Sequence, residues 1–163
     1  MTVATVFTLR AESPDQAEVR ALLAELDVYL GGLYAPEHNH ILDVEALLAP
    51  EVSFLVARHA GRAVGCGAAR RMPGEAATQG HPYGEIKRMY VRPACRGQRL
   101  GEQLLAELED GLKRRGLELA LLETGDAQPE ALRLYERCGY VRRAPFGGYE
   151  DNGTSLFYEK RLA

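Results

Sequence analysis

Cysteine is scarce in this chain: Cys66, Cys95 and Cys138 are odd in number and widely spaced. That pattern excludes a disulfide framework and a paired-cysteine zinc site, and it predicts reduced thiols. No apolar run reaches the roughly eighteen residues that suggest a membrane-spanning helix, and Met1 to Arg10 lacks the charged-then-apolar order of a leader. A soluble, cytoplasmic protein without a membrane partner is the expectation. There is no excess of base: 20 Lys and Arg stand against 23 Asp and Glu, a net charge of −3 that argues against nucleic acid as a partner. Internal repeats and low-complexity tracts are also lacking. What remains is 163 residues, 46% of them hydrophobic. That is enough for one globular domain over 1–163 with a real core, and leaves no room for a second.

Hydrophobic spacing assigns the elements. Val3 to Leu9, rich in β-branched and apolar residues, is expected as a first strand. Ser13-Pro14-Asp15-Gln16 reads as a helix start, with Ser13 as N-cap, Pro14 at the first helical position and Gln16 placed for a capping box. Val19, Leu22, Leu23, Leu26 and Leu30 follow at helical spacing until Gly31-Gly32 ends the pattern. Tyr34 to His40 is a polar loop, and Asp43 to Leu48 a short helix. Val52, Phe54 and Val56 alternate with Ser53, Leu55 and Ala57, and a turn at Ala60-Gly61 leads to a strand from Arg62 to about Arg71, a hairpin. Turn residues fill Met72 to Tyr83 before a strand from Glu85 to Val91.

The next helix is the clearest in the chain. Leu100, Leu104, Leu105, Leu108 and Leu112 share a face, Lys113, Arg114 and Arg115 occupy the last turn, and Gly116 stands where a left-handed cap belongs. Leu117 to Glu123 is a strand, so strand, helix and strand predict a right-handed parallel crossover. Pro129 opens a helix whose Ala131, Leu134, Tyr135 and Cys138 share a face, with Gly139 as its stop. Tyr140–Val141 and Leu156–Lys160 are expected as a final hairpin.

The richest segment in chemistry lies between Glu85 and Gly101. Five cations, Lys87, Arg88, Arg92, Arg96 and Arg99, face the single carboxylate of Glu85 within a chain that is acidic overall. Pro93 cannot donate to a ladder and biases Arg92 toward an extended conformation, so the strand stops there. Gly97 and Gly101 let a ligand approach the backbone, and the first turn of the following helix presents N–H groups with no helical partner. Those donors, at the positive end of the helix dipole, suit a diphosphate. By itself the glycine pair fits an ordinary strand-to-helix loop equally well.

Two ordered motifs decide between these. Arg96-Gly97-Gln98-Arg99-Leu100-Gly101 resembles the coenzyme A cradle of the GNAT acetyltransferases, with Arg99 standing where a middle glycine is usual. Downstream, Gln128, Ala131, Leu134, Tyr135, Gly139 and Tyr140 resemble that family's second signature, with Gln128 in place of the usual Asn. The resemblance covers most of the chain and implies an α/β (α+β) fold: a mixed, mostly antiparallel central sheet flanked by helices, with a splayed parallel strand pair at the acetyl-CoA site. It implies acetyl-CoA as co-substrate, bound by Met89, Tyr90, Val91, Arg96, Gly97, Gln98, Arg99, Leu100, Gly101, Gln128 and Ala131. Met89 and Val91 would offer main-chain groups to the pantetheine arm.

Acetyl transfer needs a proton donor for the leaving thiolate and an acceptor for the amine's proton. The resemblance gives the first role to Tyr135, although its spacing alone is that of a core residue. Glu85 is the candidate base, directly or through a water, and equally fits a solvated strand-end carboxylate. His38-Asn39-His40 reads as surface rather than metal-binding, Cys95 as a plain thiol rather than an acyl carrier, and no metal is expected. Tyr34, Glu37, Asp43 and Glu45 on one side and Tyr149, Glu150 and Asp151 on the other would suit a cationic amine acceptor, small molecule or peptide, and fit ordinary exposed loops of a protein with net charge −3 equally well. The expected activity is direct transfer to a primary amine in a ternary complex, with a catalytically silent acyl-CoA sensor as the alternative. The missing Lys-Ser/Thr pair argues against the remaining rival, a P-loop-like nucleotide-binding module. A homodimer through sheet edges is an arrangement that the resemblance allows.

Overall fold

The computed structural model describes residues 5–163. Seven strands form one sheet in the order β1-β2-β3-β4-β5-β7-β6. They are β1 (Thr8–Ala11), β2 (Val52–His59), β3 (Arg62–Met72), β4 (Tyr83–Val91), β5 (Leu119–Gly125), β6 (Val141–Arg143) and β7 (Ser155–Arg161), with α1 (Ala17–Leu33), α2 (Val44–Leu47), α3 (Leu100–Arg114) and α4 (Pro129–Arg137) on its faces. Every neighbouring pair is antiparallel except β4 and β5, which α3 joins as a crossover. The expected mixed, mostly antiparallel sheet with one parallel pair is therefore present.

The two faces carry separate cores. Val19, Leu22, Leu23 and Leu26 of α1 and Leu47 of α2 pack with Phe54, Val56, Cys66 and Ala68. Leu105, Leu108 and Leu112 of α3, with Tyr135 of α4, pack with Ala69, Ile86, Ala120 and Leu122. β3 lies between these layers and is buried continuously from Ala63 to Ala69, which explains its small-residue composition. Gly84 lets α3 settle onto β4, because a Cβ there would lie 2.3 Å from Leu112 Cδ2.

Two features of β4 open the sheet where function is expected. Its parallel register with β5 ends at Ile86↔Leu122, although both strands continue beyond. A bulge then follows, with Arg88 in the left-handed region at φ 59° and a register shift against β3. Bulges bend a strand and redirect its side chains. β4 and β5 consequently splay from Lys87 onward.

Three sequence expectations need correction. The first strand is Thr8–Ala11 rather than Val3 to Leu9, of which Val3 and Ala4 lie outside the described residues. α1 begins at Ala17 after an extended Gln16, not at a Ser13 cap. There the Ser13 hydroxyl accepts the Asp15 N–H, and the Gln16 amide donates to Ser13 O and Glu12, closing a turn ahead of the helix. At its other end α1 runs through Gly31 and Gly32 to Leu33, because Tyr34 docks on the chain after β5 and holds the last turn in place.

Candidate active site

The chain leaves β4 through a single 3-10 turn at Pro93–Cys95, and Arg96 is extended. Gly97 and Arg99 then take positive φ, 77° and 63°, and α3 starts at Leu100. From Gly97 to Glu102 no backbone N–H meets an acceptor among the described residues. Free donors at a helix N-terminus are the physical requirement for gripping a diphosphate. Arg96 is braced rather than loose: its Nε donates to Val91 O at 2.9 Å, and its guanidinium lies 5.8 Å from the Tyr90 ring centre. It also reaches Glu130 of α4 at 3.6 Å.

A groove of about 570 Å³ runs from this turn between the end of β4 and α4. The structure brings almost all the residues expected for the coenzyme to its wall: Met89, Tyr90, Val91, Arg96, Gly97, Arg99, Leu100, Gly101, Gln128 and Ala131. Gln98 is not among the lining residues. Cys95 is, and Arg133 and Arg137 add positive charge that the motif reading did not include. Gly101 is where α3 and α4 close up, with Leu134 Cδ2 3.0 Å from where a Cβ would stand.

The groove adjoins a second, smaller cavity between the splayed strands, and Leu26, Met89, Gln128 and Tyr135 border both. Tyr135 is 7% exposed, and its ring packs edge-on against Tyr140 at 5.9 Å. Its hydroxyl has no hydrogen-bond partner among the described residues. Burial pushes its pKa well above the ordinary phenol range, and the Glu123 carboxylate adds to the effect. It is therefore a neutral donor at any physiological pH. The Gln128 amide is already engaged, donating to Tyr34 Oη at 3.3 Å, and the same oxygen accepts the Ala127 N–H at 3.0 Å.

On the acceptor side lies a polar network that local spacing did not reveal. Glu85 is 1% exposed, so it is not the solvated strand-end carboxylate of the alternative expectation. It accepts hydrogen bonds from Arg70 Nη2 at 2.8 Å and from the Tyr149 hydroxyl. Lys87 Nζ lies 3.8 Å from Glu85 and donates to Tyr149 Oη at 2.7 Å and to His40 O at 2.9 Å. Burial lowers the Lys87 pKa, opposed by the charge of Glu85, and burial raises that of Tyr149. His40 Nδ1 lies 3.3 Å from Glu123 Oε2, which also accepts the Ser155 hydroxyl at 2.7 Å. Tyr149 lies in this network, whereas Tyr34 bonds Ala127 and Gln128 instead. Arg70, Lys87, His40, Glu123 and Ser155 are additions, and only a signal spanning the whole chain could have paired them. Among the described residues no group of three or more His, Cys, Asp or Glu is placed to hold a metal ion.

The profile of the acetyltransferase (GNAT) family matches residues 19–140. Over 155 residues the chain is 46% identical to the IAA acetyltransferase of Azospirillum brasilense, spanning 95% of this chain and 97% of that protein. A crystal structure from Klebsiella pneumoniae, assigned to the acyl-CoA N-acyltransferases, superposes with a TM-score of 0.79 at 38% identity, over 96% of this chain and 98% of that one. The PaiA N-acetyltransferase of Thermoplasma acidophilum, solved in complex with coenzyme A, shares the fold at 18% identity, with a TM-score of 0.72 over 96% and 99% of the respective chains.

Proposed function

The chain belongs to the acetyltransferase (GNAT) family, and we propose that its one domain, 1–163, moves an acetyl group from acetyl-CoA to a primary amine of a small molecule or peptide by direct transfer in a ternary complex. The observation that carries this reading is the row of unpartnered N–H groups from Gly97 to Glu102, at the mouth of a groove that ends at Tyr135. The site fits the coenzyme: donors without acceptors would meet the diphosphate, and Arg99 and Arg133 would favour its charge, while Arg96 and Arg137 balance Glu130 and Glu102 on the same wall. β4 beyond Ile86 has no β5 partner, so its main chain from Lys87 to Val91 is open to a strand-like pantetheine arm.

When bound, the coenzyme supplies the thioester, a reactive acyl donor. Main-chain groups near Met89 orient and polarise its carbonyl. As the acceptor nitrogen forms its bond to the acyl carbon and the C–S bond breaks, Tyr135 gives its proton to the departing sulfur and regains one from the new amide nitrogen. The Tyr135 phenol suits this role because it is neutral, free of internal partners and common to both cavities. Glu85, expected as the base, is not open to the amine directly, since Arg70 and Tyr149 already occupy its oxygens. The reaction takes place in the cytoplasm, and no helix among the described residues is long and apolar enough to cross a membrane.

The test is release of free thiol from acetyl-CoA across a panel of primary amines, hydroxyl compounds and thiols. IAA, for which the Azospirillum brasilense relative is named, belongs in the panel. Thiol release with amines, and coenzyme binding by calorimetry, are the expected results. Turnover of hydroxyl or thiol acceptors alone would overturn the amine assignment. Coenzyme binding without thiol release would make the chain an acyl-CoA sensor.

A further inference from the structure

We propose that His40 is the group that takes the proton from the acceptor amine, held for that task by Glu123. The proposal rests on the acetyltransfer reading above. An alkylamine reaches the site as a cation at neutral pH, and the nitrogen must shed a proton before it can attack. The acceptor of that proton must line the cavity that Tyr135 lines, because the donor and the acceptor serve the same nitrogen and acyl carbon. Glu85 does not line it: it borders a neighbouring cavity and is sealed by Arg70 and Tyr149. His40 borders both cavities.

The imidazole is held from several sides. Its Nδ1 faces Glu123 Oε2 at 3.3 Å, its own carbonyl accepts Lys87 Nζ at 2.9 Å, and its ring packs edge-on against Tyr149 at 4.9 Å between centres. Glu123 is fixed in turn by the Ser155 hydroxyl, and its side chain is 12% exposed. With Nδ1–H donating to that carboxylate, Nε2 carries the lone pair, and it has no partner among the described residues. A base oriented by a second, buried group is the arrangement that general-base catalysis uses. The charged and titratable groups around it are Glu123 of β5, Glu85, Lys87, Arg88 and Tyr83 of β4, Arg70 of β3, Tyr135 of α4, Tyr34 and His38 before α2, and Tyr149 before β7. Asp27 of α1 pairs with Arg88 and Glu85 faces Lys87 at 3.8 Å, so the carboxylate that the amine meets at His40 is that of Glu123. In the step itself, Nε2 takes one proton of the ammonium group and leaves the nitrogen its lone pair. The imidazolium faces the Glu123 carboxylate and passes the proton to solvent, the side chain being 30% exposed.

The experiment uses the full chain, acetyl-CoA, the best alkylamine from the screen and its β,β,β-trifluorinated counterpart, whose nitrogen is already neutral at assay pH. For His40→Gln, kcat/KM with the alkylamine should fall about 100-fold, and with the fluorinated amine by no more than a few-fold. Coenzyme affinity by calorimetry should stay within about two-fold, which also reports that the variant is folded. Added imidazole should restore part of the activity of His40→Ala. Unchanged turnover in both variants, or equal losses for the two amines without imidazole rescue, would overturn the proposal. Absence of thiol release from the unaltered protein would instead sink the acetyltransfer reading, and the role of His40 with it.

Discussion

The phenol of Tyr135 divides its contacts between two purposes. Its ring belongs to the α3–α4 core, while its hydroxyl borders the coenzyme groove and the cavity between the splayed strands without an internal partner. Removing that hydroxyl should therefore cost little stability, because no buried group is left unsatisfied. Tyr135→Phe is expected to lower turnover about 100-fold while changing coenzyme affinity little, measured by thiol release and calorimetry on the same preparation. Undiminished turnover would return Tyr135 to the core alone. Residue identity was legible where function depends on local spacing: Arg96, Gly97 and Gly101 sit on one turn, and their motif places them together. It was not legible for the network around Glu85 and His40. Tyr149 is 64 residues from Glu85 and 62 from Lys87, and Glu123 is 83 from His40, so no local pattern pairs them.

At the scale of elements, the cradle carries a strain that its sequence announces. Arg99 holds φ 63° where a glycine would be relaxed, and a non-glycine residue in that region costs about 1–2 kcal/mol. Arg99→Gly relieves that cost but loosens the unfolded chain, an opposing effect of about 0.5–1 kcal/mol. The net expectation is a gain of about 0.5–1 kcal/mol in urea unfolding, together with weaker coenzyme binding as one cation leaves the groove. A stability loss would mean that the Arg99 side chain contributes more than its backbone costs. Periodicity found α3, β2, β3 and β5 because their apolar positions repeat, and Gly116 marks the end of α3 as read. It misplaced both ends of α1, whose limits are set by side-chain bonds at Ser13 and by the distant docking of Tyr34. Nothing in the sequence marks Arg88 as the site of a bulge, since no glycine or proline stands there, yet that bulge and the early end of the β4–β5 register open the site.

For the molecule as a whole, the two-faced sheet explains both what could be read and how the protein should fail. The α3 crossover between parallel strands followed from element order, whereas the insertion of β7 between β5 and β6 depends on pairing across the chain and has no local signal. The two faces also bury phenols. Tyr83, Tyr135, Tyr140 and Tyr149 are all held protonated beyond the ordinary range, in each case chiefly by burial, with Glu75, Glu123, Glu109 and Glu85 respectively adding charge repulsion. Above about pH 10 the unfolded chain loses phenol protons that the folded chain keeps, so the unfolded state binds fewer protons and stability must fall as pH rises. Each fully protected tyrosine contributes up to about 1.4 kcal/mol per pH unit in that window. Lys87 acts in the opposite sense, because burial lowers its pKa and stability gains with pH up to about 10.4, but it is one group against four. The unfolding midpoint in urea should therefore decline steeply from about pH 10 upward, and phenolate absorbance should rise together with loss of tertiary structure. Smooth ionisation of all 8 tyrosines in a still-folded protein would show that these rings are open to solvent, and that the faces of the sheet are not packed as described.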